Sequence, residues 1–228
     1  CTQANQPATI CPQPHCSTMT AMNKTTPTPP PASHFDAAAR DWDQRPLSQQ
    51  LAAVAPRLLA QLPLSPTDQV LDFGAGTGLL ATQIAPLVAQ VTALDTSAAM
   101  LEVLQAKGHA NITTHCGDVF AGLPGRYHAI VSCMALHHVA DTAALLHTLA
   151  IALHPGGRMA LVDLYAEDGS FHGDNAAKGV QHLGFAPEAL GALAEQAGLA
   201  DIHFSHIVQL QHRNGRSYPL FLMTGRKP

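Results

Sequence analysis

From residue 34 onward, apolar and polar positions alternate in two different rhythms along the chain. Phe35, Ala38, Ala39 and Trp42 recur at i, i+3, i+4 and i+7, the spacing of a short amphipathic helix, and Ser33 with Asp36 forms a capping-box-like start. Pro46 interrupts it. Leu47, Leu51, Val54, Leu58 and Leu62 then line one face of a second helix that ends at the loop from Pro63 to Pro66. From Asp68 the rhythm changes. Short apolar runs predict strands over 69–73, 90–95, 111–116, 127–133 and 158–163, with helices over 77–85, 97–107 and 141–153 between them. Pro86 bends or ends the first of these helices, and Gly108 closes the second. His154-Pro155-Gly156-Gly157 predicts a turn before the fifth strand. A helix over 187–197 follows, with Pro187 in its first turn and Gly198 at its end. Strands over 201–210 and 217–224 close the chain, joined through Asn214-Gly215, a hairpin signal. Alternation of strand and helix calls for an α/β fold with a parallel sheet covered on both faces, and the hairpin makes the last strand antiparallel.

Residues 1–33 have a different composition. They hold seven of the 17 prolines, one charged residue (Lys24) and no apolar period, so this segment is expected to be disordered. It lacks the basic start and apolar run of a secretory signal, and the biological start is expected at Met19 or Met22. The expected organisation is a disordered segment over 1–33 and one domain over 34–228, whose first part, 34–62, forms a helical lid.

Charge and cysteine usage narrow the function. Charged residues make up 12% of the 228-residue chain and the net charge is −4, which excludes a polybasic nucleic-acid or membrane-surface protein. No run of 18 apolar residues predicts a membrane span. Five cysteines, an odd number, argue against a disulfide framework and for a reducing cytoplasm. Cys11 and Cys16 with His15 lack the second half of a zinc site. Asp163, Asp168, Asp174 and Asn175 supply oxygens enough for Mg²⁺, but a flexible acidic loop reads them more simply, so no metal is expected.

The stretch VLDFGAGTGLL, residues 70–80, carries the most chemistry. Gly74, Gly76 and Gly78 lie between a strand and its helix, where a tight turn lets a ligand rest on backbone N–H groups. The spacing is G-x-G-x-G. A dinucleotide fingerprint would need glycine at 79, where Leu79 stands, and this disfavours a nicotinamide oxidoreductase. Asp95 ends the second strand about 20 residues after the loop, where a carboxylate can accept from both ribose hydroxyls of an adenosine ligand, or can open a turn before the next helix. Asp118, in CGDVF, falls at the same sheet edge and can take an adenine amine while Val119 packs on the ring. The alternative is an Asx turn.

VLDFGAGTGLL, VTALDTSAAML, CGDVF, YHAIVSCMALHHV and HPGGRMALVD, in this order, resemble class I S-adenosylmethionine-dependent methyltransferases, in particular the small-molecule branch called type 11 or 12. The resemblance runs from about residue 34 to 226. It implies a Rossmann-like sheet of order 3-2-1-4-5-7-6 with strand 7 antiparallel, and S-adenosylmethionine as cofactor. It implies that Gly74, Ala75 and Gly76 lie along the methionine part, that Asp95 binds ribose, and that Asp118 and Val119 hold adenine. Asp72 would support the amino group. Ser132, Cys133 and His137 would face the methyl end, and Thr77, Thr96, Met100 and Trp42 complete the expected cofactor shell.

Methyl transfer from a sulfonium needs alignment and exclusion of water, and a base only for a hydroxyl or carbon acid. His137 is the candidate base. His138, His172, His182 and Phe185 are candidate substrate contacts; His182-Leu183-Gly184-Phe185 departs from the His-Gly-Phe of many relatives. The chain has neither the Asp/Asn-Pro-Pro-Tyr of base and glutamine methylators nor the Pro-Cys of pyrimidine C5 enzymes. The expected function is methylation of a small molecule. The alternatives are a quinone-precursor C-methyltransferase and a non-catalytic, cofactor-binding regulatory module.

Overall fold

The computed structural model describes residues 34–228. The expectations for residues 1–33, including the Ser33 half of the first cap and the Cys11–Cys16 pair, lie outside the described residues.

Seven strands form one sheet: β1 (Gln69–Phe73), β2 (Gln90–Asp95), β3 (Ile112–Cys116), β4 (Tyr127–Cys133), β5 (Leu153–Leu164), β6 (Ala200–Gln211) and β7 (Ser217–Arg226). Their order is β3-β2-β1-β4-β5-β7-β6. Strands β1 to β5 are parallel, and β7 runs antiparallel to both β5 and β6. The helices are α1 (His34–Ala38), α2 (Pro46–Leu51), α3 (Val54–Leu59), α4 (Ala81–Ile84), α5 (Ala98–Ala106), α6 (Thr142–Ala152) and α7 (Pro187–Gln196). Because side chains alternate along a strand, each face of the sheet feeds its own core. Val70, Val91, Ala129 and Val131 join Val54, Leu58 and Ile84 on one face. Leu71, Leu94, Ile130 and Leu161 join Leu145, Leu149 and Leu190 on the other. Burial on both faces is why the central strands read as unbroken apolar runs.

Four expected elements differ. The helix expected over Phe35–Trp42 is α-helical only over His34–Ala38 and passes into a 3-10 helix over Ala39–Gln44. The helix expected through 47–62 is split into α2 and α3. Pro56 has no N–H to return to the carbonyl of Ala52, and its ring would crowd that carbonyl, so the second helix begins anew at Val54 and takes the proline in its first turn. The helix expected over 77–85 is α-helical only at Ala81–Ile84 and passes into a 3-10 turn at Ala85–Leu87, where Pro86 sits. The turn expected at 154–157 is absorbed into β5. Leu153 pairs with Tyr127, Arg158 with Ala129, and the residues between bulge out of register. Backbone bonds from Gly156 N to Lys227 O and from Lys227 N to Gly157 O, each 2.9 Å, hold the bulge.

The topology delivers the ends of β1 to β5 to one edge of the sheet. There, Asp72 couples β1 to α4: it is 2% exposed and accepts from the Ala81 N–H at 2.9 Å. Burial, set against that one donor and reinforced by the charge of Asp95, pushes the Asp72 carboxyl up to about 8. The folded state therefore holds a proton that the unfolded chain releases near pH 4. The associated stability is full below that pH and is lost as pH rises toward 8. Asp72→Asn imitates the protonated acid. Its melting temperature is expected to gain on that of the natural chain as pH goes from 5 to 8.5, by ~2–4 °C for each kcal/mol involved. Parallel melting curves over that range would show that Asp72 is not protonated in the fold.

Candidate functional site

A cavity of about 680 Å³ opens at this edge, within the range of small-ligand and cofactor sites. Gly74, Ala75, Gly76 and Thr77 form its floor, leaving β1. Asp95 and Thr96 enter from the end of β2, Met100 from α5, and Asp118 and Val119 from the turn after β3. Cys133, at the end of β4, and His138 close the inner side, and Trp42 lies in the N-terminal wall.

All three loop glycines have positive φ, +66° at Gly74, +54° at Gly76 and +89° at Gly78, and they differ in what surrounds them. A Cβ on Gly74 would meet the Ala135 Cβ at 2.3 Å, and one on Gly78 would meet Leu104 Cδ1 at 2.3 Å, so both allow close packing. Gly76 has φ +54°, and a Cβ there would meet nothing within 4 Å. Its open side belongs to the cavity.

Asp95 fastens the loop. Its carboxylate accepts from Gly76 N at 2.7 Å and from Ser97 N at 2.8 Å. Burial pushes its pKa above the ordinary carboxylate value, while the N–H groups of Ser97, Gly76 and Thr96 pull the other way. Asp95 thus opens the turn before α5, as one sequence reading expects, and it also lines the cavity. Asp118 likewise accepts from Phe120 N at 2.9 Å, capping a 3-10 turn over Val119–Ala121, while it lines the cavity.

Other expected site residues lie elsewhere. Asp72 sits behind the loop, bound to Ala81. Ser132 is fully buried, and its hydroxyl donates to the Phe73 carbonyl at 2.7 Å, joining β4 to β1. His182 and Phe185 line a separate hollow with Thr142 and Leu190. His137 is 1% exposed and is not part of the cavity wall. A 3-10 turn over Leu136–His138 follows β4 through Met134, whose φ is +60°, and turns His137 inward toward β5. Its Nδ1 lies 2.7 Å from Asp163 Oδ1, its backbone N donates to Asp163 Oδ2 at 3.2 Å, and its Nε2 lies 3.0 Å from His172 Nε2. Burial and the neighbouring His137 ring lower His138 to about 4 and His172 to about 3, so both are neutral at pH 7. The oxygens expected to suit Mg²⁺ are dispersed in use: Asp163 serves His137, Asp168 pairs with Arg216 at 2.8 Å, and Asp174 accepts from Ala177 N.

Several contributors carry no local sequence signal because their partners are distant in the chain. Phe35 lines the cavity and meets Trp42 and His138 edge to face, with ring centroids 5.7 and 5.1 Å apart. Asp43 accepts from the Thr77 hydroxyl at 2.5 Å and from Lys107 Nζ at 2.7 Å, and the same ammonium donates to the Thr77 carbonyl at 2.7 Å. Asp36 accepts from the Ser97 hydroxyl at 2.6 Å. These bonds hold the N-terminal helical segment against the glycine loop and α5.

Comparison with known proteins agrees with this architecture. Residues 70–157, from β1 into the β5 bulge, match the family described as "Methyltransferase domain". An uncharacterized methyltransferase of Schizosaccharomyces pombe is 32% identical over 151 residues, 58% of this chain and 53% of that protein. A ubiquinone biosynthesis O-methyltransferase of Xanthomonas campestris is 33% identical over 144 residues, covering 59% and 60%. The chain thus spans about half the length of the first curated relatives it matches. The structure of Haemonchus contortus phosphoethanolamine N-methyltransferase 2, solved with S-adenosyl-L-methionine, superposes with a TM-score of 0.68 at 18% identity, over 85% of this chain and 57% of that one. The family match places a methyltransferase domain over residues 70–157, and the strand order, the antiparallel β7 and the superposition show the fold that these methyltransferase neighbours share.

Proposed function

We propose that this chain binds S-adenosylmethionine in the 680 Å³ cavity and transfers its methyl group to a small-molecule acceptor held in the same space. The observation that supports this most is the open side of Gly76, flanked by Asp95 and Asp118 at one sheet edge. A carboxylate keeps lone pairs beyond the two that Asp95 gives to Gly76 and Ser97, and these suit the ribose hydroxyls. Asp118 and Val119 would receive adenine, and the backbone of residues 74–76 the methionine part. The cofactor supplies an activated methyl on sulfur. The protein's work is to align the acceptor and exclude water.

His137 is set behind the cavity wall and bound to Asp163, so it does not reach an acceptor from where it lies; His138 is the imidazole at the wall. Phe35, Trp42, Leu51, Met134 and Val139 make the acceptor side apolar, and neither sign of charge is concentrated there, which favours a compact neutral acceptor. Because the Xanthomonas relative is a ubiquinone biosynthesis O-methyltransferase, quinone precursors are the first acceptors to assay. A reducing compartment suits the free thiols of Cys116 and Cys133. We further propose that residues 34–44 act as a lid. An isolated helix this short is marginal in water, so its order derives from the bonds of Asp36 and Asp43 and from the cavity beneath.

Calorimetry with S-adenosylmethionine tests the binding reading. A hydrogen bond to a charged group contributes ~1.5–3 kcal/mol, so Asp95→Ala is expected to weaken binding at least tenfold; an unchanged dissociation constant removes Asp95 from the site. Gly76→Ala is expected to lose affinity together with the modest stability that a side chain at φ +54° costs, whereas Gly74→Ala, at φ +66° and also forced against Ala135, loses more stability than Gly76→Ala. Equal effects of the two alanines on stability and affinity would contradict this division.

Trp42 is the only tryptophan, and it lies under the Arg45 guanidinium at 5.1 Å, so its fluorescence reports the lid alone. Addition of S-adenosylmethionine is expected to shift that emission and slow amide exchange over 37–42. Saturating cofactor with both signals flat would make the segment a fixed wall.

A further inference from the structure

His137 and His172 contribute nothing to the cavity wall, yet with His138 they bring three ring nitrogens within 4.8 Å of one another. Their hydrogen bonds determine which nitrogen is available. Asp163 is fully buried and already accepts the backbone N–H groups of His137 and Leu164, so it takes the Nδ1–H of His137 and leaves the Nε2 lone pair of that ring free. The Gly179 carbonyl, 3.2 Å from His138 Nδ1, can only accept, so that ring too carries its proton on Nδ1 and offers Nε2. His172 turns its Nε2 toward the His137 lone pair at 3.0 Å.

We propose that His137, His138 and His172 form a binding site for a divalent transition-metal ion of the zinc class, with Asp163 as the carboxylate that orients His137. Neutral imidazole nitrogen is the ligand such ions select, and a ligating histidine characteristically gives its other N–H to a carboxylate or a backbone carbonyl. Both arrangements are present, at Asp163 and at Gly179. Zn–N distances of ~2.0–2.1 Å put two ligands of a tetrahedral ion about 3.3 Å apart. The His137–His172 pair is within a few tenths of that, and a ring nitrogen of His138 lies within 4.8 Å of both. His172 must carry its proton on Nδ1 in the loaded site. Lys178, which donates to the His172 carbonyl, is the opposing charge nearby, and Asp163 offsets it. No linear motif announces the site: His137 and His138 are adjacent in a 3-10 turn, and His172 comes from the loop after β5. The assignment does not rest on methyl transfer.

The test is made on the full chain without an added histidine tag, stripped with chelator and titrated with ZnCl₂ in a calorimeter and with CoCl₂ in a spectrophotometer. One ion per chain is expected at micromolar or tighter affinity, with Co²⁺ bands of nitrogen coordination. His172→Ala is expected to weaken binding by more than the ~10–100-fold that loss of an outer-shell partner costs. His109→Ala, an exposed histidine outside the cluster, is expected to change nothing. His172→Cys, which keeps a ligand, is expected to restore zinc binding and so separates lost coordination from lost folding. No stoichiometric uptake, equal affinity in His172→Ala, or thiolate-to-cobalt charge transfer in the natural chain would each overturn the proposal; the cluster would then be a hydrogen-bonded relay from Asp163 through His137 to His172.

Discussion

The Asp95 carboxylate is the joint on which the candidate site depends. It sits where β2 ends, and it accepts one N–H from the glycine loop after β1 and one from the first turn before α5. Two adjacent parallel strands cannot exchange their loops by a hairpin, so something at the carboxyl edge must tie one crossover to the next. A single buried-edge carboxylate does so here, against a desolvation penalty visible in its raised pKa. The open face of Gly76 and the position of the Asp95 carboxylate at the cavity are therefore parts of one constraint, and the loop is shaped before any ligand arrives.

The same edge is reinforced from behind. Asp72 holds the start of α4 through Ala81, Ser132 holds β4 to β1 through the Phe73 carbonyl, and Asp163 holds the turn after β4 through His137. Each is a polar group buried among apolar layers, a costly placement unless hydrogen-bonded, and each is bonded. By position alone, all three resemble ligand contacts, because the end of a central strand is where ligands bind in this architecture. Side-chain direction separates them. The last strand residues Phe73, Asp95 and Cys133 and the loops beyond them line the cavity, whereas Asp72, Ser132 and Asp163, each one position before a strand's end, bond within the protein.

Much of the fold is legible in the amino-acid pattern. The apolar density of β1, β2 and β4 reflects burial on both faces, so their expected boundaries at 69–73, 90–95 and 127–133 coincide with those observed. Asn214-Gly215 marks the hairpin that reverses β7. Helices bounded by proline are less legible. A leucine stripe every three or four residues describes a face, and it does not register that Pro56 breaks the backbone ladder beneath that face. The β5 bulge escapes a local reading because Pro155-Gly156-Gly157 has turn composition, while its pairing partner, Lys227, lies 70 residues away in the sequence.

The sequence by itself determined the order of elements, the glycine loop and the acidic residues that close β2 and follow β3, because these depend on local backbone conformation and on periodicity. Tertiary structure decided which histidine meets the cavity, that Asp43 and Asp36 clasp Thr77, Lys107 and Ser97, and that three imidazoles converge beside Asp163. Those contacts join segments 26 to 64 positions apart. Hydrogen bonds and metal-ligand geometry act over a few ångströms of space, and a single chain carries no local mark of which distant side chains folding will bring within that reach.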